Sequence, residues 1–140
     1  MSELKKKILD SISSPQLISF ATITEDGKPW VRYVIGMADE NLIIRFSTFI
    51  KSRKVAQIEK NQEVHIVCGV SSLEAVEHYI QIQGKAEITV DEEERKKFWH
   101  DDLKAYFSGS DDPNYCVCMV KPYRIEYYTM GSMELEVWEE

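Results

Sequence analysis

The sequence holds only three cysteines, Cys68, Cys116 and Cys118, and no CxxC pair. An odd count at that spacing is no disulfide framework, so the fold must rest on packing. The three histidines, His65, His78 and His100, are scattered, with no HExxH and no paired Cys/His pattern. No metal site is expected from such spacing, and the cysteines read as small buried strand residues. No apolar run approaches the ~20 residues that cross a bilayer. The start, Met-Ser-Glu-Leu-Lys-Lys-Lys, has no apolar stretch of signal-peptide length behind it. The cytoplasm is the expected location. Positive charge is also scarce: 17 Lys and Arg face 24 Asp and Glu, a net charge of -7. That balance argues against a nucleic-acid partner, which needs a basic face, and against docking on anionic membranes. Neither GxxxxGK[ST] nor GxGxxG occurs, so nucleoside-triphosphate and Rossmann dinucleotide sites lack support.

What is present suits one domain over residues 1–140. A chain of this size buries about 68–70% of its unfolded surface and needs no staple. Residues 3–13 read as a short amphipathic helix with Leu4, Ile8, Leu9 and Ile12 on one face, closed by Pro15. Residues 16–24 form a strand that is apolar on both faces and therefore central. The turn at Asp26-Gly27 leads to a second strand, 30–38, and a third, 42–48. A helix over 52–61 buries Val55, Ala56 and Ile58. A fourth strand, 63–70, and a long fifth, about 76–90, follow. Asp91 then caps a helix, with Glu94 completing a capping box, and this helix runs to about Phe107. After a turn-rich loop, 108–114, a sixth strand spans 115–130 with a bend at Pro122, and a short seventh spans 135–138. Short turns between so many strands predict a mainly β antiparallel barrel or sandwich of six or seven strands with peripheral helices.

Strand parity sorts the side chains. In the second strand Val31, Tyr33, Ile35 and Met37 share one apolar face, and Trp30, Arg32 and Val34 the other. In the fifth, Ile80, Ile82, Ala86, Ile88 and Val90 face the core, which leaves Tyr79 among polar residues. Beyond Pro122, Ile125 and Tyr127 pair, with Arg124, Glu126 and Tyr128 opposite. Trp30, Tyr79 and Tyr128 are thus aromatics on non-core faces, read either as scattered surface residues or as a platform for a partner or flat ligand. Arg45, in mid-strand, has two readings as well, an acid partner or solvent. His78 reads as an exposed strand histidine.

One local cluster opposes the net charge. Lys51-Ser52-Arg53-Lys54 sets three cations at a helix start, with Ser52 as N-cap. Cations in a first helical turn oppose the helix dipole, at about 0.3–1 kcal/mol each. A bound anion reverses that sign, with backbone N–H groups, the Ser52 hydroxyl and the cations converging on a phosphate. Thr48 and Arg32 are candidate additional donors. A solvated patch paired with acids is the alternative.

The segment Phe46-Ser47-Thr48-Phe49-Ile50-Lys51-Ser52-Arg53-Lys54-Val55 resembles the flavin-phosphate segment of the pyridoxamine 5′-phosphate oxidase family. Arg32 lies where that family has an arginine on the preceding strand. Glu59 to Val64 resembles its helix–strand junction, with Gln62 in place of a proline. Gln83-Gly84-Lys85-Ala86-Glu87 is similar to a Gly-Lys-Ala-Glu strand, and Pro122 to Gly131 to a segment with an aromatic near the flavin. The likeness covers about residues 15–131, and the short length resembles the general-stress-protein branch.

The resemblance implies an FMN-binding split barrel, a homodimer with flavin at the subunit interface. It implies Arg32, Ser52, Arg53 and Lys54 on the phosphate, and Tyr33, Val34, Ser47 and Thr48 along the ribityl chain and ring. It places Tyr79 and Tyr128 near the flavin from the partner subunit. It points to a small oxidoreductase that takes electrons from NAD(P)H for a small-molecule acceptor, or to a flavin-storage protein, or to a split barrel turned to haem or F420. Catalytic residues are not implied. True oxidases of the family carry a C-terminal Arg-x-His that grips pyridoxamine phosphate. This chain has Gly131 to Glu140, an acidic segment that repels a phosphorylated substrate, so that activity is not expected.

Overall fold

The computed structural model describes residues 2–70, 72–74, 76–132 and 134–140. Seven strands form one antiparallel sheet: β1 (Gln16–Ile23), β2 (Pro29–Ala38), β3 (Ile44–Phe49), β4 (Glu63–Cys68), β5 (His78–Thr89), β6 (Tyr115–Thr129) and β7 (Leu135–Glu139). Their order is β3-β2-β1-β4-β5-β6-β7, and β3 also pairs with β6. That extra pairing, Ile44 opposite Val120 through Phe49 opposite Tyr115, closes β1–β6 into a six-stranded barrel. Closure removes the free edges of those strands. β7 continues the sheet outside the barrel along β6. Among the described residues no helix is long and apolar enough to cross a membrane.

The barrel interior holds the main core. Ile18 and Phe20 from β1, Phe46 from β3, Ile66 from β4, Ile80 and Ile82 from β5 and Val120 and Ile125 from β6 meet there. Phe20 and Phe46 pack edge to face, ring centroids 4.8 Å apart. α1 (Glu3–Ile12), capped by Ser2, adds Ile8 and Ile12. In β6 the inward residues change from even numbers, Cys118 and Val120, to odd ones, Ile125 and Tyr127. The switch lies where Gly84 pairs with Pro122 but Gln83 with Arg124, leaving Tyr123 as an extra residue. A Cβ on Gly84 would meet Val120 Cγ1 at 2.8 Å and the Lys121 carbonyl at 2.9 Å, so only glycine fits this close approach.

Several expectations are corrected. The third strand starts at Ile44, because Leu42 is a left-handed turn residue (φ 66°) whose side chain is buried. The fourth strand stops at Cys68, before Gly69 at φ 100°. Val90 lies past the end of β5 and is exposed, not core. Ala56, on α2 (Arg53–Lys60), faces solvent, while Val55 and Ile58 are buried. α3 (Glu92–Phe98) ends early because Trp99 turns extended (ψ 136°), and a 3-10 turn over Asp101–Ala105 follows. Trp99 then packs on Tyr115, and Leu103, Phe107, Tyr115 and Val117 make a second cluster outside the barrel. Only half of the capping box forms. The Asp91 carboxylate accepts from the Glu94 N–H at 3.1 Å, but the Glu94 carboxylate turns to Arg45.

The apolar face of β2 points outward. Val31, Tyr33 and Ile35 are exposed, Tyr33 at 70%, with Leu17 beside Ile35 across β1. Arg32, Val34 and the buried Gly36 point the other way. This reverses the expected sorting of β2, in which the Arg32 and Val34 side was the non-core face: those residues point inward, and the longer apolar side chains stand outside.

Candidate functional site

β2, β3 and the start of α2 converge where the chain leaves the barrel. Thr48 is the last inward residue of β3 and is buried. Its hydroxyl accepts from Lys54 Nζ at 2.8 Å and lies 3.4 Å from the Ser52 hydroxyl. Ser52 has the extended backbone of an N-cap, yet its side chain caps no helical N–H. Arg53 follows at the first position of α2, its guanidinium over the Trp30 ring at 5.5 Å. No acidic residue occupies that first turn.

Arg32 reaches the same region from β2. Its Nη1 donates to Thr22 Oγ1 at 2.8 Å and to the Phe20 carbonyl at 3.3 Å, and its Nη2 donates to Gln57 Oε1 at 3.1 Å. All three acceptors are neutral. Among the described residues no carboxylate pairs with Arg32, Arg53 or Lys54. Burial pushes the Lys54 ammonium below its ordinary pKa, and the Arg32 charge adds to the shift. Burial likewise lowers Arg32, with Arg53 contributing. Cations are therefore gathered here against their mutual repulsion, beside two hydroxyls. An anion with several acceptor oxygens, such as a phosphate, matches that donor set.

The remaining candidate residues lie on different faces. Val34 shares the inward parity of Arg32 and packs against the core. Tyr33 is on the opposite, outward face. Ser47 is half-buried on the side of β3 away from Thr48. Tyr79 and Tyr128 are paired across β5 and β6, rings stacked at 5.1 Å on the outward face. They share that face with Gln81, Gln83, Arg124, Glu126 and His65, which line a polar depression of about 170 Å³. Trp30 belongs instead with the basic cluster.

Two residues of the site escaped sequence reasoning. Thr22 is fully buried, and Gln57 reaches it from α2 at 2.5 Å. A signal existed for both: Thr22 is polar at the core parity of Phe20, and Gln57 stands one helical turn after Arg53. Arg45 pairs with Asp39 (2.6 Å) and Glu94 (3.2 Å), which settles its alternative in favour of acids. His78 is partly buried, bonded to the Ser11 hydroxyl at 2.9 Å and stacked on Tyr127 at 5.0 Å, so it is no free surface histidine. The thiols lie in the core. Burial pushes Cys68 up to about 12 and Cys116 up to about 11, and raises Cys118 further.

Comparison with known proteins bears on the family and the fold. The chain is 33% identical over 130 residues to general stress protein 26 of Bacillus subtilis, covering 93% of this chain and 91% of that protein. The crystal structure of general stress protein 26 from Bacillus anthracis superposes with a TM-score of 0.84 at 27% identity, over 99% of this chain and 100% of the other. More distant structures share the fold alone. They are a pyridoxamine 5′-phosphate oxidase-related, FMN-binding protein from Nostoc punctiforme (TM-score 0.65, 15% identity, 87% and 79% of the two chains), a haem-binding protein from Mycobacterium smegmatis (0.73, 15%, 96% and 56%) and an F420 reductase (0.65, 20%, 83% and 93%). The family model described as pyridoxamine 5′-phosphate oxidase matches residues 4–129. With that match spanning most of its length, the chain belongs to the pyridoxamine 5′-phosphate oxidase family.

Proposed function

We propose that the chain binds FMN through the basic cluster and acts as a small FMN-dependent oxidoreductase, accepting electrons from NADH or NADPH for a small-molecule acceptor. The observation that carries this reading is the meeting of Arg32, Arg53 and Lys54 with no carboxylate partner among the described residues, beside the Thr48 and Ser52 hydroxyls. A phosphomonoester relieves the repulsion among the cations and satisfies the helix start. FMN, when bound, supplies the hydride chemistry. The protein's part is to anchor and orient. Arg32, Ser52, Arg53 and Lys54 hold the phosphate, with the Thr48 hydroxyl beside them, whereas Tyr33 and Ser47 stand on other faces of their strands and Val34 packs on the core, so these three do not line one path with it.

A second copy of the chain completes the site in this reading. The exposed Leu17, Val31, Tyr33 and Ile35 form an apolar face of the kind a homodimer buries. Tyr79 and Tyr128, on an outward face, then reach the partner's flavin. Pyridoxamine phosphate is left out as a substrate. Its expected binding segment is here β7, whose Glu136 and Glu139 pair with Lys7 and Arg124, and Glu140 follows, paired with Lys121.

The test is direct. FMN fluorescence should be quenched on titration with the protein, at micromolar affinity or tighter. Stopped-flow mixing of the FMN-loaded protein with NADH or NADPH should bleach the flavin band. Binding without bleaching would replace the reductase reading by flavin storage. A Soret band in the purified protein, with no FMN binding, would replace both by haem.

A further inference from the structure

We infer that Gln57 and Thr22 form a neutral clamp that aims the Arg32 guanidinium at the anion site and leaves its charge free for the ligand. The inference rests on the anion reading above and assigns positioning residues to that site. Arg32 has only donors, so the Gln57 side-chain atom facing it must be the amide oxygen. That oxygen accepts twice, from Arg32 Nη2 at 3.1 Å and from the Thr22 hydroxyl at 2.5 Å. Thr22, having given its proton to Gln57, accepts from Arg32 Nη1 at 2.8 Å. The three side chains therefore close a ring in which every donor has one direction. The Phe20 carbonyl adds a fourth contact, at 3.3 Å, and the Phe20 ring lies 5.9 Å from the guanidinium carbon.

The choice of a neutral oxygen at Gln57 has a consequence. A carboxylate at the same place would hold Arg32 as firmly but cancel its charge, and a bound phosphate would then meet a neutral pair. With an amide, the guanidinium is oriented and keeps its full charge. Gln57 thus acts through Arg32, as a positioning residue that sets preference for a phosphorylated ligand.

The test compares FMN with riboflavin, which has the same ring and ribityl chain but no phosphate. Affinities are measured by fluorescence quenching for the wild type, Gln57→Glu, Gln57→Met and Arg32→Gln, and for Gln57→Glu in the Arg32→Gln background. Melting curves identify variants that fold. Gln57→Glu should lower FMN affinity at least tenfold and leave riboflavin within twofold, a change of ratio that general loosening of the fold does not produce. In the Arg32→Gln background the same substitution should change the ratio less than twofold. Gln57→Met, which removes the acceptor and adds no charge, should lower the ratio at least threefold, and it decides the matter if Gln57→Glu fails to fold. An unchanged ratio in a folded Gln57 variant, or an undiminished effect without Arg32, would overturn the clamp while the anion reading stands. A wild type that does not prefer FMN to riboflavin would overturn the anion reading and the clamp together.

Discussion

The Lys54 ammonium donates to the Thr48 hydroxyl at 2.8 Å, where β3 hands the chain over to α2, and the charge it feels most is that of another cation, Arg32. A lysine held this way is short of negative charge. The proposed site follows from that deficit.

Removing the deficit's owners should remove binding. Arg53→Ala with Lys54→Ala is expected to weaken FMN at least tenfold, measured by fluorescence quenching against riboflavin as control. Equal FMN affinity in the double variant would refute the phosphate site. The pH dependence has a definite sign. Lys54 loses its proton below its ordinary pKa, and only the charged form attracts phosphate. FMN affinity relative to riboflavin should therefore fall as pH rises through the lowered lysine pKa. Lys54→Arg should hold its affinity to higher pH, because a guanidinium keeps its proton.

The outward apolar face predicts an assembly. Sedimentation of the wild type should give the mass of two chains. Tyr33→Asp with Ile35→Glu places charge on that face and should give one chain at micromolar concentration, with an unchanged circular dichroism spectrum. A wild type that sediments as one chain at tens of micromolar would remove the dimer, and with it the role of Tyr79 and Tyr128.

Asp39 organises the β2–β3 turn. Its carboxylate accepts from the Asn41 N–H at 2.8 Å, the Ile43 N–H at 3.1 Å and Arg45 at 2.6 Å, and so braces the left-handed Leu42. Asp39→Ala should destabilise the fold by about 1.5–3 kcal/mol in urea unfolding, the range for hydrogen bonds to a charged group. Burial pushes the Asp39 carboxyl up, but the Arg45 and backbone hydrogen bonds outweigh it and hold the carboxyl below its ordinary 3.8. The folded state thus binds this proton less readily than the unfolded state. The contribution is complete above pH 3.8 and is lost as pH falls through the lowered value. A variant as stable as the wild type at pH 7 would show that the turn holds without Asp39.

The three thiols should be inert. All are buried, and burial raises each pKa, so thiolate is scarce at neutral pH. A thiol reagent such as Ellman's should label the folded protein at the rate of its opening reactions and the urea-unfolded protein within seconds. Rapid labelling of the native protein at pH 8 would contradict this.

Much of the fold was legible because alternation is a local property. Ile80, Ile82 and Ala86 on β5 and Ile125 and Tyr127 on β6 were separable from their polar neighbours by parity alone, and all are buried. Helix extent was less legible. Phe98 to Phe107 keeps an apolar spacing that suits a helix, yet Trp99 leaves helical geometry to pack on Tyr115, a residue that only the closed barrel brings near. Val90 has the right parity for the core, but it lies past the last paired residue of β5 and is left exposed.

The candidate site divided the same way. Thr48, Ser52 and Lys54 lie within seven residues, so a strand end followed by a helix start already puts them together. Gln57, Thr22 and Arg32 come from three elements, and their hydrogen-bond ring exists only because α2 packs on β1. By itself the sequence determined the strands, their turns and the basic helix start, since these depend on side-chain period and local backbone chemistry. Only the tertiary structure decided that β3 pairs with β6, that Val31, Tyr33 and Ile35 face outward, and that neutral oxygens hold Arg32. Each of these depends on contacts between residues distant in the chain, where closing the barrel selects among arrangements that a single strand leaves equal.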